Sequence, residues 1–199
     1  MKLPNSAQTS RPWRIHELTE DFRLLDVWAL PTPGGPDGFP RLVEMFAAAD
    51  TAETPSRVAR GLWAIRWKLG EIFGWDELDP KDAPDWQLLR DRLPADLRDG
   101  PTGPNPTTLP FTPVYLLEDE WAAEIVNKTV HGVMHLSWVP DGSGGYRGQM
   151  AVYVKPNGRF GKAYLAAIEP FRHLVVYPPM MREMARRWRE ESEPRAAAA

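Results

Sequence analysis

The stretch Thr129-Val-His-Gly-Val-Met134-His-Leu-Ser-Trp138-Val139, the turn Asp141-Gly-Ser-Gly-Gly145 and the return Arg147-Gly-Gln-Met150-Ala-Val152-Tyr-Val154-Lys155 decide the fold. In the first run Val130, Met134, Leu136 and Trp138 share one parity, with Gly132 among them. In the return run Met150, Val152 and Val154 alternate in the same way. Side chains of a strand point to opposite faces with a period of two, so each run reads as a strand with one buried face. A short glycine-rich connection joins them as an antiparallel hairpin.

Upstream, residues 113–118 and 121–128 continue the sheet, and Asp26-Val-Trp28-Ala-Leu30 makes a first strand stopped by Pro31-Thr-Pro33-Gly-Gly. Between the first strand and the rest, Phe39, Leu42, Val43 and Phe46 recur at helical spacing. A second helix runs from a Thr54 cap with Pro55 at its first position to Gly74. Its apolar stripe is Val58, Leu62, Ile65, Leu69 and Ile72, with Trp63 and Trp67 on the flank beside Arg57, Arg60 and Lys68. Residues 94–113 are rich in proline and read as a long irregular loop. Downstream, Tyr164, Ile168, Phe171 and Val175 mark a last helix, which Pro170 and Pro178-Pro179 should kink or split before Met181, Met184 and Trp188 continue the line.

These elements predict an α+β fold: a curved antiparallel sheet of about five strands wrapped on a long C-terminal helix, with two helices inserted after the first strand. Residues 1–12 are polar and expected to fray, residues 13–191 to form one domain, and residues 192–199 to be a disordered tail.

Composition narrows the function. The 199 residues, with 43% hydrophobic and 26% charged content, suit a globular core rather than a disordered chain. A net charge of −3 offers no basic field to gather nucleic acid. The absence of cysteine removes disulfides, thiolate metal sites and cysteine nucleophiles. No apolar run is long enough for an integral membrane segment and no leader pattern opens the chain, so a cytoplasmic location is expected. Nine tryptophans give unusual aromatic area for a core or a ligand pocket.

Motifs that would name a reaction or a cofactor are missing. There is no GxGxxG opening a helix, no GxxxxGK[ST] and no GxSxG, and no cofactor is expected. His131-Gly-Val-Met-His135 has a spacing that binds metal on a helix, but on a strand the two imidazoles stand ~13 Å apart. They lie opposite Met134, Leu136 and Trp138, so a place facing solvent or the sheet edge is expected, and no metal site. By helical phase His173 points away from the Tyr164–Val175 stripe, toward the surface. The acidic residues Asp76, Glu77, Asp79, Asp82 and Asp85 read as a solvated face.

Three blocks carry a resemblance: Trp63-Ala-Ile-Arg66-Trp-Lys-Leu69-Gly-Glu-Ile-Phe73-Gly74, then Met134-His-Leu136, then Gly161-Lys-Ala-Tyr164-Leu-Ala-Ala-Ile168-Glu-Pro-Phe171-Arg-His173. Together they resemble the DUF2867 family over residues 26–184. This bacterial family has no assigned activity, and some members are fused behind an NAD(P)-binding oxidoreductase domain. Pro170-Phe171-Arg172-His173 departs from the expected order Pro-Phe-His-Arg. The order of elements is also similar to the helix-grip START/Bet v 1-like (SRPBCC, polyketide-cyclase-like) architecture, which implies a cavity between sheet and last helix.

On that resemblance Met134, Leu136, Trp138, Met150 and Val152 would face Tyr164, Ile168 and Phe171 across a mainly apolar cavity. A lipid, aromatic or polyketide-like molecule would sit there; the bland alternative is that the same side chains fill the core. A cyclase or aromatase activity would need a polar group within the cavity, with Tyr153, His135 and Tyr164 as candidates by residue type. An interaction domain acting with a separate oxidoreductase is the third expectation, with the Trp63/Trp67 flank as its surface.

Overall fold

In the computed structural model the described residues are 1–48, 88–107, 109–127, 130–158, 161–162, 165–166 and 172–191. They form an α+β fold. Six strands, β1 (Lys2–Leu3), β2 (Arg23–Gly34), β3 (Thr112–Leu116), β4 (Glu120–Val126), β5 (Val130–Pro140) and β6 (Tyr146–Pro156), make one curved sheet in the order β1-β2-β6-β5-β4-β3. Every neighbouring pair is antiparallel. The expected hairpin is β5–β6, in register from Val130 opposite Pro156 to Pro140 opposite Tyr146.

The short helices α1 (Ser6–Thr9), α2 (Ile15–Leu18) and α4 (Ala95–Arg98) flank the sheet together with a 3-10 turn at Leu89–Arg92. The longer α3 (Phe39–Ala47) follows β2, and α5 (Tyr177–Glu190) ends the described chain after a π-helical turn at Arg172–Val176. Phe39, Leu42, Val43 and Phe46, the expected stripe of α3, are all buried. Pro178 and Pro179 occupy the first turn of α5, where a missing N–H costs no helical bond. The π-helical turn runs directly into this helix, and Pro170, the other expected breaker, lies outside the described residues.

The sheet has a hydrophobic cluster on each face. On one, Trp121, Met134, Leu136, Trp138 and Met150 pack under α3 and α5; this is the helix face. On the other, Val114, Tyr115, Ala122, Val133, Ala151 and Tyr153 pack under Trp13, Ile15, Leu18, Leu89, Leu93 and Leu97; this is the N-terminal face. The indole Nε1 of Trp138 donates to the Gly35 carbonyl at 2.9 Å, and that of Trp188 to the Pro33 carbonyl at 2.9 Å. These two rings, 6.0 Å apart, pin α5 to the far end of β2. Gly38, at the entry to α3, lies against the Trp138 ring so closely that a Cβ would stand 2.5 Å from it.

Two expectations are corrected. Residues 1–12 do not fray: β1 pairs with β2, and Gln8 of α1 is fully buried. Their polar composition hid this, because what holds them is a hydrogen-bonded glutamine rather than an apolar stripe. Residues 94–113 are the expected irregular loop from Pro101 to Thr107, but not from their start. They include α4, bury Leu97, and lie over Trp121, whose Nε1 donates to the Thr102 carbonyl at 3.1 Å. The helix expected at residues 54–74, the Trp63/Trp67 flank, the acidic run 76–85 and the tail 192–199 lie outside the described residues.

Candidate functional site

Alternation in β2 would place Asp26 on the same face as Leu24. It does not, because Leu24 pairs with Tyr153 and Asp26 with Val152, leaving Leu25 as an extra, bulged residue. The bulge turns Asp26 onto the helix face, where it is 1% exposed. Its Oδ1 stands 3.1 Å from Nε2 of His173 and 3.3 Å from the Lys2 ammonium. The Tyr177 hydroxyl donates to Oδ2 at 3.4 Å. Trp28 completes the group, with its ring 4.6 Å from Tyr177 and 5.9 Å from His173. A buried carboxylate persists where cations and donors compensate its desolvation, and Lys2, Tyr177 and His173 supply that. His173 therefore does not point away to the surface, as helical phase suggested: the π-helical turn that carries it breaks that phase.

The expected cavity residues divide. Met134, Leu136, Trp138 and Met150 are all buried on the helix face, with the partly buried Val152 packed against them. Tyr164, Ile168 and Phe171 lie outside the described residues. The polar candidates Tyr153 and His135 are on the other face, with the sheet between them and Met134. They cannot serve a ligand held under α5.

On the N-terminal face the two histidines of β5 are fully buried rather than solvent-facing. Each takes the carboxylate that lies diagonally across on β4. His135 Nε2 is 2.8 Å from Glu120 Oε2, and His131 Nε2 is 2.7 Å from Glu124 Oε2. The register explains the repeat: Ala122 pairs with His135 and Val126 with His131, and each glutamate sits two residues before that partner on the same face. Glu124 also accepts from the Leu89 backbone N–H at 2.9 Å, and Phe22 stands edge-on to His131.

Glu120 is the centre of a wider network. Its Oε2 accepts from the Tyr115 hydroxyl at 2.9 Å as well as from His135, and its Oε1 from the Arg14 backbone N–H at 2.9 Å. These donors hold its carboxyl below the usual range against the opposing pull of burial. Burial pushes the His135 imidazole below its ordinary value, with Glu120 opposing. Desolvation and the Glu120 charge raise the Tyr115 hydroxyl well above its ordinary value, and burial pushes Tyr153 up to about 12. Gln8 reaches in from α1: its Nε2 stands 3.0 Å from both His135 Nδ1 and the Tyr153 oxygen, and its Oε1 accepts from Gln149 Nε2 at 2.9 Å.

This second cluster escaped sequence reasoning, yet a signal existed. Glu120 and Glu124 on one strand match His131 and His135 on the next, both pairs four residues apart. Among the described residues no set of three or more histidine, aspartate or glutamate side chains is arranged to hold a metal ion. No described helix is long and apolar enough to cross a membrane.

No curated protein and no solved structure matches the chain. A family model does match residues 18–179, which takes in β2 to β6, Asp26, His173 and both glutamate–histidine pairs. The chain therefore belongs to the DUF2867 family, described as a protein of unknown function.

Proposed function

We propose that this protein is a binding module for a mainly apolar small molecule, of lipid, aromatic or polyketide-like kind, held on the helix face of the sheet beneath the C-terminal helix. One observation carries the reading: the Asp26–His173–Tyr177–Trp28 group, which sets a cluster of polar atoms into a mainly apolar wall. Small-molecule sites typically combine such a wall with a few polar groups that fix orientation. Met134, Met150, Met180 and Met181 belong to the same cluster, and flexible thioethers let a wall adapt to more than one ligand.

Native mass spectrometry of freshly purified protein, compared with its denatured mass, tests this. A reproducible extra mass of a small organic molecule, lost on denaturation, is the expected result. Identical masses, together with no saturable binding of the neutral apolar fluorophore 1-N-phenylnaphthylamine, would overturn it.

A cyclase-like enzyme is the second reading, and Asp26 is what favours it. A carboxylate 3.1 Å from an imidazole can orient that ring as a general acid or base toward a bound substrate. Incubating the recovered ligand with wild-type and Asp26→Asn protein separates the readings. Conversion by the wild type alone supports an enzyme, and an unchanged ligand mass in both supports a carrier.

A further inference from the structure

The N-terminal arm, residues 1–12, clasps the β2 edge of the sheet from both sides. Its β1 residues Lys2 and Leu3 pair with Trp28 and Val27, and the chain's terminal amine donates to the Ala29 carbonyl at 3.0 Å. On the helix face the Lys2 ammonium reaches Asp26. On the N-terminal face the arm has one fully buried side chain, Gln8, with polar partners on two strands.

Proton positions at Gln8 follow from a fixed point. The Ala7 carbonyl can only accept, so the Gln149 side-chain nitrogen, 3.4 Å away, faces it as donor. Gln149 Nε2 also faces Gln8 Oε1, which fixes the Gln8 amide with its nitrogen toward His135 and Tyr153. His135 Nδ1 must then accept, so its proton sits on Nε2 and is given to Glu120. The same logic runs to α2. His16 Nε2 faces the Gln8 carbonyl at 3.3 Å as donor, and its Nδ1 receives the Tyr153 hydroxyl at 3.4 Å. The network is closed for a neutral His135.

We propose that the Gln8–His135–Tyr153 junction is an acid-sensitive clasp, which holds the N-terminal arm on the sheet when His135 is neutral and releases it when His135 takes up a second proton. That proton would go to Nδ1, opposite the Gln8 N–H, and put two donors face to face. Rotating the Gln8 amide moves the same conflict to Gln149, which Ala7 holds in place. The groups facing His135 are Glu120 and Asp119 around the start of β4, Tyr115 on β3, Tyr153 on β6, His16 on α2, and the rings and amides of Trp13, Gln8 and Gln149. Glu120 already receives the Nε2 proton, so its charge softens protonation without removing the clash at Nδ1. Burial of the ring opposes protonation at neutral pH, which sets the clasp to open on the acid side.

Release has consequences at both faces. It frees the outer edge of β2 for pairing with another strand. It also takes Lys2 away from Asp26, so the polar station of the proposed ligand site changes its charge balance. This last consequence rests on the ligand-binding reading; the clasp itself does not.

Amide hydrogen exchange of the full chain, corrected for the intrinsic pH dependence of exchange, tests the clasp without any ligand. Comparing about pH 7.5 with about pH 5, the arm should lose protection, by up to about tenfold per pH unit between the ordinary imidazole value and the lowered value of the clasped His135, while β5 and β6 stay protected. Equal protection of the arm at both values overturns the proposal, and so does loss of protection in the arm and the sheet together. In Gln8→Glu the carboxylate accepts from a doubly protonated His135, so the arm should be held better at the acid value and the pH dependence should reverse. If that variant does not fold, Gln8→Met removes the opposing donor, and the pH dependence of arm exchange should fall below about twofold. A Gln8→Met arm that responds to acid as wild type does overturns the proposal.

Discussion

The two faces of this one sheet are buried by different means. On the helix face, α3 and α5 cover tryptophan, methionine and leucine side chains, and the buried Asp26 arrives there through a bulge. On the N-terminal face, shorter segments cover a surface that alternates apolar residues with two glutamate–histidine pairs and a buried glutamine. Packing tolerates approximate fits, whereas buried polar groups demand that each donor find its acceptor. The N-terminal face should accordingly be the more sensitive to single polar changes and to pH, and the helix face to changes in volume.

The largest effect is expected where a buried carboxylate is taken away from its donors. Glu120→Ala leaves His135, Tyr115 and the Arg14 N–H without their acceptor and should cost ~3–5 kcal/mol in urea unfolding. Glu120→Gln, which keeps an acceptor, should cost clearly less. Equal losses would mean that charge rather than hydrogen bonding holds this face.

On the other face, Leu136→Ala should cost ~2–5 kcal/mol, growing with the void that is left. A loss near the lower end, partly recovered with 1-N-phenylnaphthylamine present, would mark Leu136 as the wall of a site rather than the middle of a filled core. Gly38→Ala comes next. The new methyl meets the Trp138 ring, and the expected loss is ~1–3 kcal/mol by thermal or urea denaturation.

A pH series contrasts the faces directly. His135 binds a proton less readily in the folded chain than in the unfolded one, whose imidazole titrates near the ordinary value. Between its lowered value and that ordinary value the unfolded chain holds the extra proton. Stability should therefore decline as pH falls through this window, with a slope of at most ~1.4 kcal/mol per pH unit for one proton. Glu120, lowered in the folded chain, adds a second decline below the ordinary glutamate value. Stability that is flat from neutrality down to the carboxylate range would remove His135 as a stabilising neutral group. The smallest change is expected from Arg186→Ala, a half-exposed side chain of α5 paired with the exposed Glu190 and the more covered Glu183. Its unfolding midpoint should match wild type, and a clear loss would show that this surface is buried by something else.

The sequence by itself determined the α+β class, the β5–β6 hairpin, the α3 stripe and the Met184–Trp188 line of the last helix. These rest on local periodicity, which is set by strand and helix geometry and survives in any compact arrangement. It placed Met134, Leu136 and Trp138 together and His135 opposite them for the same reason. Tertiary structure alone decided what the polar residues do. A one-residue bulge at Leu25 moved Asp26 across the sheet, and a π-helical turn brought His173 back to it. The registry of β4 against β5 matched each glutamate with a histidine, and the polar arm that looked ready to fray was fixed by Gln8. Apolar burial follows a pattern that a chain carries along its length, whereas a buried hydrogen bond depends on atoms of separate elements, 7 residues apart at His131–Glu124 and 145 at Gln8–Tyr153, meeting within a few tenths of an ångström.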